Sequence, residues 1–126
     1  MELKKGLNHC SEVQVNATNT ALAMGSGDLS VFATPALAAV MENAAMKAVT
    51  IALPEGSTTV GSSIDLSHIK PTAMGDSVKA IAILNEIEGR KLTFEIEAMD
   101  SHGLVGKAKH IRYIVDSKMF MNKLKK

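Results

Sequence analysis

Glu42 is the one acid in the stretch Val31–Val49, VFATPALAAVMENAAMKAV, where from Pro35 onward only Glu42, Asn43 and Lys47 are polar. A carboxylate in such surroundings sits at a dimer seam, at the mouth of a pocket, or in a pair. His68 is equally conspicuous. Alternation over Ser57–His68 puts Val60, Ile64, Leu66 and His68 on one face, the apolar one. A lone inward histidine is also compatible with a satisfied core residue. Together with Glu42 it reads differently, because a buried carboxylate and a buried imidazole are each costly alone and tolerable as neighbours. Neighbours of this kind perturb each other's pKa, as a general acid–base or nucleophile pair requires. Thr34 precedes Pro35, and the role of helix N-cap accounts for it fully. It lies eight residues before Glu42, roughly 12 Å along a helix axis at about 1.5 Å per residue. The two can act together only through an intervening substrate or water, or across a dimer interface.

Gly61 falls mid-strand on the alternate face, marking a bulge, a packing position, or a close backbone approach whose N–H faces an oxyanion. His110 and Arg112 follow Leu104, Gly106 and Ala108 on an inward parity. Either two cationic groups point inward or a bulge shifts the register; the bulge is the simpler expectation. His9 and His102 sit in polar stretches and are expected at the surface. Four scattered histidines and one cysteine make no metal-ligand spacing, so no metal is expected. Gly25-Ser26-Gly27-Asp28 lacks the further glycine and the lysine of a phosphate loop, and reads as a mobile loop able to act as a lid.

These residues need a scaffold. Residues 10–16 read as a short strand with Val13 and Val15 on one face, followed by the loop Asn19–Leu29. Thr34-Pro35 starts a helix that runs to about Ile51 and stops at Pro54-Glu55-Gly56. Apolar on nearly every side, it must be covered over most of its circumference. Four alternating strands follow: Ser57–His68, Val78–Glu88, Leu92–Ala98 and Leu104–Val115. Pro71–Asp76, Glu88-Gly89-Arg90 and Asp100-Ser101-His102-Gly103 turn the chain between them, and Asp116 or Ser117 caps a short basic helix. A twisted antiparallel sheet of this kind curls round one helix. The expectation is an α+β hotdog fold over residues 1–126 as one domain, dimeric because a sheet edge and part of the helix remain uncovered.

Composition narrows the function classes. Fourteen basic residues balance thirteen acidic ones across 126 residues, and only Phe32, Phe94, Tyr113 and Phe120 are aromatic. No basic stripe with interleaved aromatics exists, which argues against nucleic acid. The Lys118, Lys123, Lys125, Lys126 tail reads as a solvated face, able at most to attract an anionic ligand. The polar start Met1–Gly6 leads into no apolar run, and no run approaches membrane-helix length. The lone Cys10 fits a reducing compartment. The expectation is a cytoplasmic protein without membrane contact.

Several stretches together resemble the hotdog acyl-CoA thioesterases of the fluoroacetyl-CoA thioesterase family: Gly27-Asp28-Leu29, Val31-Phe32-Ala33-Thr34-Pro35, Met41-Glu42, Val60-Gly61, and Ser67-His68-Ile69-Lys70-Pro71-Thr72 on to Gly75. The resemblance runs from about Gly25 to Val115. It implies a catalytic Thr34, Glu42 and His68, with Gly61 and Arg112 at substrate-binding positions. It further implies acyl-CoA hydrolysis, with Glu42 as nucleophile or general base, His68 tuning Glu42 and helping protonate the thiolate, and Thr34 positioning the carbonyl or water. Coenzyme A enters as part of the substrate, with no other cofactor. Fluoroacetyl-selective members carry aromatic side chains in the lid; Ala21–Asp28 has none, so a short- or medium-chain acyl group is expected instead. A homodimer, open to further assembly of dimers, is implied as well. The contrasting reading is a hotdog module that binds acyl-CoA without turnover.

Overall fold

The computed structural model describes residues 2–125; Met1 and Lys126, the ends of the stretches read above, lie outside them. The chain order is β1 (Asn8–Gln14), α1 (Ala21–Met24), α2 (Thr34–Thr50), β2 (Ser57–His68), β3 (Ser77–Glu88), β4 (Lys91–Asp100), β5 (Gly103–Asp116) and α3 (Ser117–Lys123). The strands form one antiparallel sheet in the order β1-β3-β4-β5-β2, curled round α2 as a hotdog.

Helix α2 buries Leu37, Val40, Met41, Ala44, Ala45, Ala48 and Val49, a stripe repeating every three to four residues. It packs on β1 and β3 and reaches β2, β4 and β5. The facing strands alternate as expected, with Val78, Ala80, Ala82 and Leu84 inward on β3 and Leu92, Phe94, Ile96 and Ala98 inward on β4. Alanines on both surfaces let helix and sheet approach closely, and the large side chains fill the space around them. Phe94, Leu37, Met41 and Leu84 are almost wholly buried, each contributing about 1.5–3 kcal/mol of transfer free energy. Gly106 is part of the same fit: a Cβ there would lie 2.7 Å from the Ser67 carbonyl and 3.1 Å from Leu37 Cδ2.

Register shifts interrupt the ladders at Gly61/Ser63, Leu84/Glu86 and Ala98/Met99, adding local twist that helps the sheet curl. Two of them alter the sequence expectations. In β2 the extra residue is Ser62, and crossing it exchanges the faces of the strand. Ile64, Leu66 and His68 share the inward face as expected, but before the bulge Thr59 and Gly61 look inward and Val60 does not. In β5 the pairing passes from Gly106 opposite Ala98 to Leu104 opposite Met99, which skips Val105. The bulge expected to turn His110 and Arg112 outward thus lies upstream of Gly106, and both side chains are buried.

Smaller differences have local causes. The first strand begins two residues earlier than expected; Val15, beyond its end, donates its N–H to the Asp76 carbonyl. The segment after it holds a one-turn helix, α1, because Thr20 Oγ1 accepts from Ala23 N–H and Gly25 (φ 72°) closes the turn. The N-cap of α2 is Ala33, which makes no side-chain capping bond, so Thr34 is the first helical residue and not its cap. His9 is half-buried where an exposed ring was expected, whereas His102 and Cys10 are exposed. Asp116 caps α3 through Met119 N–H at 2.9 Å.

Candidate active site

The first cluster forms where the start of α2 meets the end of β2. Thr34 Oγ1 lies 2.8 Å from His68 Nδ1. His68 Nε2 is shielded from solvent and has no hydrogen-bond partner among the described residues. Burial lowers the pKa of His68 from its ordinary value, the Lys70 ammonium adding to that and the Lys70 backbone opposing it. The imidazole is therefore neutral at pH 7. Both side chains border a cleft of about 280 Å³ that also takes in Ala21, Ser26, Val31, Phe32 and Lys70. Beside it, Lys70 Nζ and Thr72 Oγ1 donate to Oδ2 of the buried Asp100, clamping the end of β2 to the β4–β5 turn.

The second cluster lies further along the helix. The point where a Gly61 side chain would begin is 3.3 Å from Arg112 Nη1, 3.3 Å from His110 Cε1 and 3.5 Å from Glu42 Oε2. Glycine thus lets a carboxylate, a guanidinium and an imidazole converge over the strand. Arg112 is anchored by Nε donating to Thr59 Oγ1 at 2.7 Å and Nη2 donating to the Thr59 carbonyl at 2.9 Å. Burial weakens its hold on the proton and the charge of Glu42 strengthens it. The side chain is 8% exposed yet cationic, so its field acts locally at low dielectric.

Of the residues singled out from sequence, Thr34 joins His68, and Glu42 joins Gly61 and Arg112. The two groups do not meet within one chain: eight helical residues separate Thr34 from Glu42, roughly 12 Å. Glu42 Oε2 lies at Gly61 while His68 bonds Thr34, and no hydrogen bond or ion pair joins Glu42 to His68 within the protomer. The sequence pattern favours an outward His110 and puts Thr59 on the outer face; both are buried, and the inward aim of Thr59 depends on the bulge at Ser62. Among the described residues no three His, Cys, Asp or Glu side chains gather as metal ligands, and no helix is long and apolar enough to cross a membrane.

Residues 15–118 match the family model FlK, described as fluoroacetyl-CoA-specific thioesterase. The chain is 30% identical over 95 residues to the fluoroacetyl-CoA thioesterase of Streptantibioticus cattleyicolor, covering 75% of this chain and 68% of that protein. It superposes on a crystal structure of a variant of the fluoroacetyl-CoA-specific thioesterase with a TM-score of 0.91, at 25% identity over 98% of this chain and 96% of that one. A second crystal structure of that variant, in complex with fluoroacetate and CoA, superposes with a TM-score of 0.87 at 25% identity, covering 94% of this chain and 99% of that one. The chain belongs to the fluoroacetyl-CoA-specific thioesterase family of the hotdog superfamily and is a thioester hydrolase.

Proposed function

We propose that the protein hydrolyses a short- or medium-chain acyl-CoA thioester in the cytoplasm, as a homodimer, with Thr34, His68 and Glu42 as catalytic residues and no metal. The observation that carries this reading is the Thr34–His68 hydrogen bond at the rim of a cleft. A hydroxyl with a neutral imidazole can orient a thioester carbonyl and a water, and His68 Nε2 has no competing partner among the described residues. Glu42 supplies either the nucleophile or the base. As nucleophile, its carboxylate attacks the acyl carbon, the C–S bond breaks, and water cleaves the resulting anhydride. As base, it takes a proton from the attacking water and returns it to the departing thiolate. In both routes one water is consumed, and free acid and CoA thiol are formed.

Because Glu42 and His68 stand apart within one chain, the proposal has them meet across a two-fold seam: Thr34 and His68 of one protomer with Glu42 of the partner subunit. The outer edge of β2 and the exposed side of α2 are available for such pairing. Substrate range follows from the lid. Leu22, Met24 and Leu29 are exposed there and no aromatic residue precedes Phe32, which favours a flexible aliphatic acyl group over fluoroacetyl. The relative solved with fluoroacetate and CoA supports a CoA-bearing substrate.

The test is thiol release from a panel of acyl-CoAs by the wild type and by Glu42→Gln. Turnover by the wild type, with kcat reduced at least about 100-fold in the variant at unchanged folding, is the expected result. Equal rates in both proteins would remove Glu42 from the chemistry. Saturable CoA binding without any release would favour a binding module instead.

A further inference from the structure

The acid–base residues proposed above leave His110 without a part, although it is fully buried beside Glu42 and Arg112. Its ring lies tilted against Phe94, with centroids 6.3 Å apart. Both ring nitrogens are engaged. Nδ1 is 2.7 Å from the Ser63 carbonyl, which can only accept, so Nδ1 carries the proton and donates it. Nε2 is then an acceptor and receives Arg112 Nη1 at 3.2 Å. Ser63 is the residue just past the β2 bulge, and its carbonyl thereby fixes the tautomer of a side chain on the neighbouring strand.

With Thr59 taking Nε–H and one Nη2–H, and His110 taking one Nη1–H, the guanidinium is held on three sides. One N–H on each terminal nitrogen is left, and Nη1 faces Glu42 across Gly61 without a direct ion pair. The choice of acceptor matters. A carboxylate in place of His110 would hold the cation equally well but cancel its charge. A neutral imidazole anchors the guanidinium and leaves its field intact. Protonation of the ring would set two donors and two positive charges against each other.

We propose that His110 is a positioning residue: as the neutral Nδ1–H tautomer it holds the Arg112 guanidinium over Gly61, so that the free N–H groups meet the substrate or water oxygen served by Glu42. This rests on the thioesterase reading. The groups facing the ring are Arg112 on its own strand, Glu42 from α2, the Ser63 carbonyl from β2 and Phe94 from β4. Burial lowers the pKa of His110, with the Arg112 charge adding to this and the Ser63 carbonyl and Glu42 opposing, so the ring is neutral at pH 7.

The experiment compares steady-state kinetics of the wild type, His110→Phe, His110→Gln, Arg112→Ala and the His110→Phe/Arg112→Ala double variant. His110→Phe keeps the packing against Phe94 and removes both hydrogen bonds. It should leave KM within about threefold and lower kcat up to about 100-fold, as misaimed groups do. In the Arg112→Ala background it should cause no further loss. His110→Gln restores a neutral acceptor and should recover most of kcat, which keeps the test decisive should the Phe variant fold poorly. Unchanged kcat in His110→Phe, or losses that multiply in the double variant, would overturn the proposal. If the wild type releases no thiol from any acyl-CoA, the thioesterase reading fails. Imidazole 15N NMR still tests the geometry: a pyridine-like Nε2 supports it, and an Nε2–H tautomer overturns it.

Discussion

The Thr34 hydroxyl could satisfy an N–H at the start of α2 or bond to His68, and the structure has it on His68. That choice separates stability from activity at a single side chain. Losing a genuine N-cap costs about 0.5–2 kcal/mol. Thr34→Ala should therefore shift the denaturation midpoint by less than about 0.5 kcal/mol, since no cap is lost. Turnover of acyl-CoA should fall by about tenfold or more as His68 loses its orienting partner. Thr20→Ala is the control, because Thr20 Oγ1 does cap α1 through Ala23 N–H at 3.1 Å. A destabilised Thr34→Ala protein with normal turnover would return the residue to a capping role. From sequence alone the two roles cannot be separated, because a threonine before a proline suits both. What decides is the position of His68, thirty-four residues away along the chain.

At the scale of elements, the long apolar helix and the alternating strands were legible, since each follows from a local period. The face of a strand was legible only up to its first bulge. The local pattern puts Val60 inward because nothing in Val60-Gly61-Ser62-Ser63 reveals which residue is extra; that depends on pairing with Arg112 and Ile111 of β5. The same bulge brings Thr59 and the Ser63 carbonyl to the buried cluster beside Gly61, so the groups that anchor Arg112 and His110 stayed hidden with it. Another tertiary device is the clamp at Asp100. Burial alone would raise its pKa, but hydrogen bonds from Lys70, Thr72 and the His102 backbone hold it down from 3.8 to about 2. A carboxylate depressed in the fold stabilises above its unfolded pKa, and that contribution is lost as pH falls from 3.8 towards 2. Asp100→Asn should lose about 1–3 kcal/mol at pH 7 and show a shallower fall in stability over that acid window. Chemical denaturation from pH 7 down to 2 checks both; identical acid slopes in the two proteins would take Asp100 out of the acid limb.

At the scale of the whole molecule, the proposed homodimer would join two separate clusters of one chain, Thr34–His68 and Glu42–Gly61–Arg112, into shared sites. A two-fold axis presents the same surface of each protomer to the other, so in that dimer a Thr34–His68 pair would face Glu42 of the partner subunit twice. Complementation follows from this arrangement. Dimers of His68→Ala have no working imidazole, and dimers of Glu42→Gln have no working carboxylate. In a mixed dimer, one site combines both defects and the other combines His68 from the Glu42→Gln chain with Glu42 from the His68→Ala chain. Equal mixing and full exchange make half the dimers mixed with one intact site each, restoring about a quarter of wild-type kcat. Sites assembled within single chains would restore nothing, because each chain would carry a lethal change in its own site. The measurement is thiol release after the two variants are co-refolded, with each variant refolded alone as the baseline. Recovery near a quarter would establish both the dimer and the sharing of its sites. A dimer without recovery would confine catalysis to one chain and require Glu42 or His68 to be reassigned.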